Sequence, residues 1–175
     1  KFTERAWPIF EQAISDYHQT DDIDAPLHNP YAQEGIERDL YRKCWIDTVQ
    51  WHMEDLIRDP EINPADGMRL KRRIDQSNQD RTDWWMIDSY FYTLYAEVPK
   101  LPGATFNTES PAWAIDRLSI LALKIYHMRE QTERRLPRRN AWHNAAKLNV
   151  LLQQRADLST AIDQLLDDIQ PAVST

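Results

Sequence analysis

The chain has 175 residues, 42% hydrophobic and 28% charged, which is enough apolar side chain for a real core and excludes disorder throughout. With 21 Lys and Arg against 28 Asp and Glu, the net charge of −7 disfavours a general DNA or RNA coat, whose affinity depends on neutralising phosphates. Three glycines leave no Gly-rich phosphate loop or dinucleotide fingerprint, and one cysteine, Cys44, excludes an intramolecular disulfide and a multi-cysteine metal site.

Proline punctuates the chain at Pro26 and Pro30, Pro60 and Pro64, Pro99 and Pro102, Pro137, and Pro171, and the intervals read as helices. The first runs from about Trp7 to His18, with Pro8 accommodated in its first turn. The irregular segment that follows, "QTDDIDAPLHNPYAQE", about residues 20–34, is expected to pack over one end of a bundle. A second helix, about Ile36 to Arg58, carries Leu40, Ile46, Val49, Met53, Leu56 and Ile57 as one apolar stripe, with Cys44 half-buried. The third opens with "NPAD": Asn63 caps, Pro64 takes the first helical position and Asp66 sits near the positive helix end. Continued to Tyr95, it would be roughly 48 Å long. "SPAW" opens a fourth helix, with Ser110 capping and Pro111 following; it ends in "REQTERR", whose Arg134 and Arg135 suit the helix dipole. A fifth spans about Ala141 to Ile169, leaving a tail of about 170–175. No segment alternates with period two, so the expected fold is all-α: a single-domain antiparallel bundle of about five helices, two or three of them long. No apolar run approaches the roughly 20 residues of a membrane span, and "KFTERAWPIF" lacks the apolar core of a signal peptide, so the expected location is cytoplasmic.

Three helices carry polar groups in positions that could do chemistry. In "AWAIDRLSILALKIYHM" apolar residues occupy nearly the whole circumference, the mark of a central helix, so Asp116, Ser119, Lys124 and His127 on its second face would be partly buried and in need of partners. On the second helix Thr48, His52 and Asp55 fall at i, i+4, i+7, and His-x-x-Asp on one face can supply two metal ligands or an oriented His–carboxylate pair. In "KRRIDQSNQDRTD" the residues Lys71, Asp75, Asn78, Gln79 and Thr82 form a stripe continued by Met68 and Met86, which reads as facing inward. Arg73, Gln76, Asp80 and Asp83 then face water, with Arg72 at the border. The catalytic candidates are His52, Asp55, Asp75, Asp116 and His127; the ligand-binding candidates are Lys71, Arg72, Asn78, Gln79 and Lys124. A divalent metal, the one cofactor weighed, would fall to His52, Asp55 and His127. The absence of Glu-x-x-His, with Glu-x-x-Glu found only at Glu34/Glu37 and Glu130/Glu133 and not repeated along one helix, fits poorly with di-iron and helical nucleotide-pyrophosphatase sites. Arg69 with Lys71 to Arg73, and Arg134, Arg135, Arg138 and Arg139, are basic clusters able to clamp a phosphate or carboxylate.

Two functional classes follow. In one, these polar residues line an interhelical cleft that binds, or acts on, a small anionic ligand bearing phosphate or carboxylate. In the other, the chain is a non-catalytic oligomeric or partner-binding protein whose polar rows are salt-bridge networks and whose many Trp and Tyr cover a second copy.

Several segments taken together, "NPY", "LYRKCWIDTVQWHMEDLIRDP", "LKRRIDQSNQDRTD", "IDSYF", "NTESPAWAIDRLSILALKIYHM" and "LLQQRADLSTAIDQLLDDI", resemble the bacterial family called domain of unknown function 4254, common in Bacteroides-type bacteria. The resemblance runs from Phe2 to Ile169 and implies a helical cytoplasmic bacterial protein, with no activity to carry over. It marks Glu54, Asp55, Arg58, Lys71, Arg72, Asp75, Asn78, Gln79, Arg81, Asn107, Glu109, Asp116, Arg117, Lys124 and His127 as motif positions. The ending "DIQPAVST" departs from the basic, Tyr- and Met-rich tail associated with the family, so a site completed by that tail is expected to be incomplete. "LLQQRADLSTAI" also resembles the first helix of helical chorismate mutases, but Leu166 stands where a lysine is required, and that likeness is set aside.

Overall fold

The computed structural model describes residues 1–80, 84–96, 102–133 and 138–169. Arg81, Thr82 and Asp83, Arg134 and Arg135, the tail 170–175, and the side chains of Asp80, Trp84, Trp85, Arg138 and Arg139 lie outside the described residues. Among the described residues there are six helices: α1 Phe2–Tyr17, α2 Ile36–Ile57, α3 Pro64–Asp80, α4 Trp84–Leu94, α5 Pro111–Glu133 and α6 Arg138–Ile169. No strand occurs among the described residues, so the fold is all-α as expected. The count rises to six because the expected third helix is described as α3 and α4.

The helix starts follow their local chemistry. Asn63 Oδ1 accepts the Ala65 N–H at 2.9 Å and Pro64 opens α3. At α5 the Ser110 hydroxyl oxygen accepts the Trp113 N–H at 3.4 Å, and Asp88, reaching over from α4, accepts the Ser110 hydroxyl at 3.2 Å and the Ala112 N–H at 3.3 Å. A carboxylate there also opposes the positive end of the helix dipole. The start of α1 departs from expectation: it begins at Phe2, so Pro8 lies inside the helix and not in its first turn. The missing Pro8 N–H leaves the Glu4 carbonyl without its helical donor; both residues are on the exposed side, where water replaces it.

Contacts divide the chain into two compact units, Lys1–Trp7 with Asp88–Thr175, and Pro8–Ile87. In the Pro8–Ile87 unit, Phe10, Ala13, Ile14 and Tyr17 of α1 are buried, as are Ile36, Leu40, Tyr41, Cys44, Trp45 and Met53 of α2. Each large apolar side chain taken fully from water contributes about 1.5–3 kcal/mol. The buried face of α2 is turned from the expected stripe: Leu56 is 40% exposed, while Cys44, expected half-buried, is completely covered. Aromatic packing sets that turn, because the Trp45 ring meets Tyr17 edge-on at 5.4 Å and lies against Tyr41 at 6.4 Å. The irregular segment is tied down within this unit: Arg73 donates to the Ile23 carbonyl at 3.0 Å and pairs with Asp24, and the Asn29 amide donates to the Arg38 carbonyl.

In the other unit, α5 packs against α6. The buried side of α5 is broad, from Ala112 through Ile115, Leu118 and Ser119 to Leu123 and Ile125, as a central helix requires. Among the described side chains of α6 the first buried ones are Ile162 and Asp163. The Asp163 carboxylate accepts the Thr3 N–H at 3.1 Å and its hydroxyl at 2.6 Å, fastening the first turn of α1 to α6. The Arg155 guanidinium stacks 3.9 Å over the Trp7 ring, a cation–π contact within the same unit.

Candidate functional site

A groove of about 660 Å³ runs between α5 and α6. From α5 it is lined by Asp116, Arg117, Ile120 and Lys124, with Leu121 below; at 100° per residue the first four fall within about 100° of one another. Facing them on α6 are Gln154, Asp157, Leu158 and Ala161. An order in which early α5 meets late α6 makes the pair antiparallel, and the Asn144 amide donating to the Gln131 carbonyl at 3.3 Å closes the other end. The volume falls in the range of small-ligand sites, about 300–1,000 Å³.

The groove has an apolar floor and charged edges. Arg117 pairs with Glu109 at 2.5 Å, and Asp157 accepts the Gln153 amide at 2.9 Å. Lys124 is exposed and makes no ion pair among the described residues. Its ammonium is therefore the cation most available to an incoming anion. Asp116 is half-buried and lines the same groove two turns earlier on α5. His127, one turn beyond Lys124, is half-buried with Nδ1 3.2 Å from the Glu130 carboxylate, an imidazole–carboxylate pair on a single helix.

The other candidates belong to the Pro8–Ile87 unit. The expected His52–Asp55 pair is not made. His52 Nδ1 lies 2.6 Å from the hydroxyl of buried Tyr17, while exposed Asp55 pairs with Arg58 at 2.9 Å. Burial first, then the carboxylates of Asp21 and Asp22, push the Tyr17 phenol up to about 12, so it keeps its proton beside the imidazole. Among the described residues no group of three or more His, Cys, Asp and Glu could hold a metal ion.

The inward stripe expected on "KRRIDQSNQDRTD" is corrected. Met68 is 56% exposed, Lys71 and Asp75 form an exposed i,i+4 ion pair, and Arg72, Asn78 and Gln79 are exposed as well. The covered side is instead Leu70, Ile74 and Ser77, at i, i+4, i+7, because a narrow apolar and small strip is all that α3 offers to α2. Of the expected stripe, Asn78 reaches the α2 network: its Oδ1 accepts the Gln50 amide at 2.9 Å.

That network centres on a residue the sequence reading passed over. Gln50 is buried; it also accepts the Ser77 hydroxyl at 2.9 Å and donates to Glu54 at 3.2 Å. The Lys43–Asp47 ion pair and the Asp88 cap were missed in the same way. The i,i+4 spacing of Lys43 and Asp47 was visible, and so was the place of Gln50 three residues before Met53 on the buried side of α2; neither spacing indicates burial.

The family described as "Protein of unknown function (DUF4254)" matches residues 37–174. The chain belongs to that family. The match begins just inside α2, so α1 and "NPY" lie outside it, whereas the whole α5–α6 groove lies within the DUF4254 region. No curated protein and no solved structure matches the chain.

Proposed function

We propose that this DUF4254 protein binds a small anionic ligand, bearing phosphate or carboxylate, along the α5–α6 groove. The observation that carries the reading is the exposed Lys124 ammonium at the edge of an apolar floor made by Ile120, Leu121, Leu158 and Ala161. Lys124 and Arg117 would take the anionic group, Arg117 by exchanging Glu109 for the ligand. The floor would take the rest of the molecule, and Asp116 and Asp157 would select for hydroxyl or amino donors next to the anion. The ligand would be met in the cytoplasm, in line with the absence of any described helix long and apolar enough to cross a membrane.

The test is a thermal-shift screen with inorganic phosphate, nucleotides, sugar phosphates and carboxylic acids, with and without divalent metals. At least one anion should raise the Tm of the wild type, and Lys124→Ala should abolish that rise while leaving the unliganded Tm in place. If no anion stabilises the wild type more than Lys124→Ala, the proposal fails.

A second reading rests on exposed aromatic surface. Trp113 is 63% and Trp142 75% exposed, Phe106 is fully exposed, and the chain is a candidate homo-oligomer or partner-binding protein on that ground. A strictly monomeric mass by light scattering at tens of micromolar would remove the homo-oligomer.

A further inference from the structure

A second cavity, separate from the groove, lies within the Lys1–Trp7 and Asp88–Thr175 unit and has a volume of about 320 Å³. Its floor is apolar: Phe91 and Leu166 are buried there. Its walls are aromatic. Phe2 meets Phe91 edge-on at 5.5 Å, Tyr90 meets it edge-on at 5.2 Å, and Tyr95 stacks on it at 6.1 Å with the planes 13° apart. Rings arranged around one buried phenylalanine present both faces and edges to an apolar guest.

Charges of opposite sign stand at the rim. Asp163 and Asp167 are four residues apart on α6 and so share one face of that helix. Asp163 is held in place by its two bonds from Thr3; Asp167 is exposed. Lys1 and, two residues beyond Thr3 on α1, Arg5 supply the cations. The Tyr95 phenol is raised above its ordinary value by burial first, then by Tyr90 and Asp167, which places the negative potential of Asp167 at the aromatic wall.

We propose that this cavity binds a free α-amino acid with an apolar or aromatic side chain. Its side chain enters between Phe2, Tyr90 and Tyr95 over Phe91, its ammonium is taken by Asp167 in the field of Asp163, and its carboxylate is taken by Arg5. A purely anionic ligand meets the Asp163 and Asp167 carboxylates here and a purely cationic one meets Lys1 and Arg5, so the rim is complementary to a zwitterion. The cavity is just large enough for an amino acid and small for a nucleotide.

Isothermal titration of the 175-residue chain with leucine and phenylalanine, each also as its N-acetyl derivative and its methyl ester, tests this. The free amino acids should bind. Each capped form should bind about tenfold or more weakly, since one charge-assisted contact is worth about 1.5–3 kcal/mol. Arg5→Gln and Asp167→Asn should each weaken binding of the free amino acid to a similar degree. Both residues are exposed, and circular dichroism reads whether each variant keeps its helices. The proposal is overturned if no free amino acid binds at millimolar concentration, if the ester or N-acetyl form binds as well as the zwitterion, or if both folded variants bind like the wild type.

Discussion

Gln50→Met is the sharpest test of how α2 and α3 are joined. Gln50 is 5% exposed and uses its whole amide: the NH2 donates to Asn78 and Glu54 and the oxygen accepts from Ser77. Methionine keeps nearly the same volume and shape, so the substitution removes hydrogen bonds with little change in packing. Two neutral bonds at about 0.5–1.5 kcal/mol each and one to the Glu54 carboxylate at about 1.5–3 kcal/mol set an upper range. Asn78 is exposed and Glu54 is partly exposed and paired with Arg58, so water and Arg58 recover most of what those two lose. Half-buried Ser77 recovers least. The expected loss is therefore about 1–2 kcal/mol, and Gln50→Ala, which adds a cavity, should lose about 1 kcal/mol more. Urea unfolding of Gln50→Met, Ser77→Ala and the double variant measures it, with a coupling of about 0.5–1.5 kcal/mol between the two sites. A Gln50→Met protein within about 0.5 kcal/mol of wild type, or sites that add independently, would refute the network as the link between the helices.

Other expectations follow the same reasoning. The Asp47 side chain is fully covered and the Lys43 ammonium is its ion-pair partner, so Lys43→Met should cost about 3–5 kcal/mol in urea unfolding, and Lys43→Met with Asp47→Leu should recover part of that loss. Asp88→Ala removes two bonds from the start of α5 and should cost about 1–2 kcal/mol; equal stability would show that Ser110 caps the helix alone. Burial, then a hydrogen bond and charge from Asp16, hold the Tyr41 phenol far above its ordinary value of 10, and Tyr17 is raised to about 12. The unfolded chain thus releases these protons before the folded one does, so their contribution is fully present below pH 10 and is lost as pH rises, for Tyr17 from 10 to about 12 and for Tyr41 higher still. The 295 nm phenolate signal lost in Tyr17→Phe and in Tyr41→Phe should belong to the alkaline unfolding of the helices seen by circular dichroism, and a difference that already appears in the still-folded protein near pH 10 would contradict this.

Much of the fold was legible because it rests on local chemistry. Asn63 and Pro64, and Ser110 and Pro111, start helices wherever the chain goes next, since a cap oxygen and a fixed φ act within one turn. Pro8 misled for the complementary reason: the rule that proline opens a helix is local, whereas Thr3 and Asp163, 160 residues apart, extend α1 back to Phe2 by fastening its first turn. The candidate site was legible only in part. Asp116 and Lys124 lie along the α5–α6 groove, whereas His52 turned to Tyr17 and Asp75 to Lys71.

By itself the sequence determined that the protein is all-α, where most of its helices begin and end, and that it belongs to the DUF4254 family. Those properties depend on caps, periodicity and motif order, which act over a few residues or are read directly from the chain. The tertiary structure alone decided which side of each helix is covered: that Gln50 and Asp47 are buried, and that the polar stripe of α3 is exposed while Ile74 and Ser77 face α2. A helix with polar groups on several sides has more than one rotation that buries comparable apolar area, and the partners supplied by other elements choose among them. Gln50 meets Ser77, Tyr17 meets His52 and Thr3 meets Asp163, and each pairing satisfies a polar group whose burial would otherwise be unfavourable.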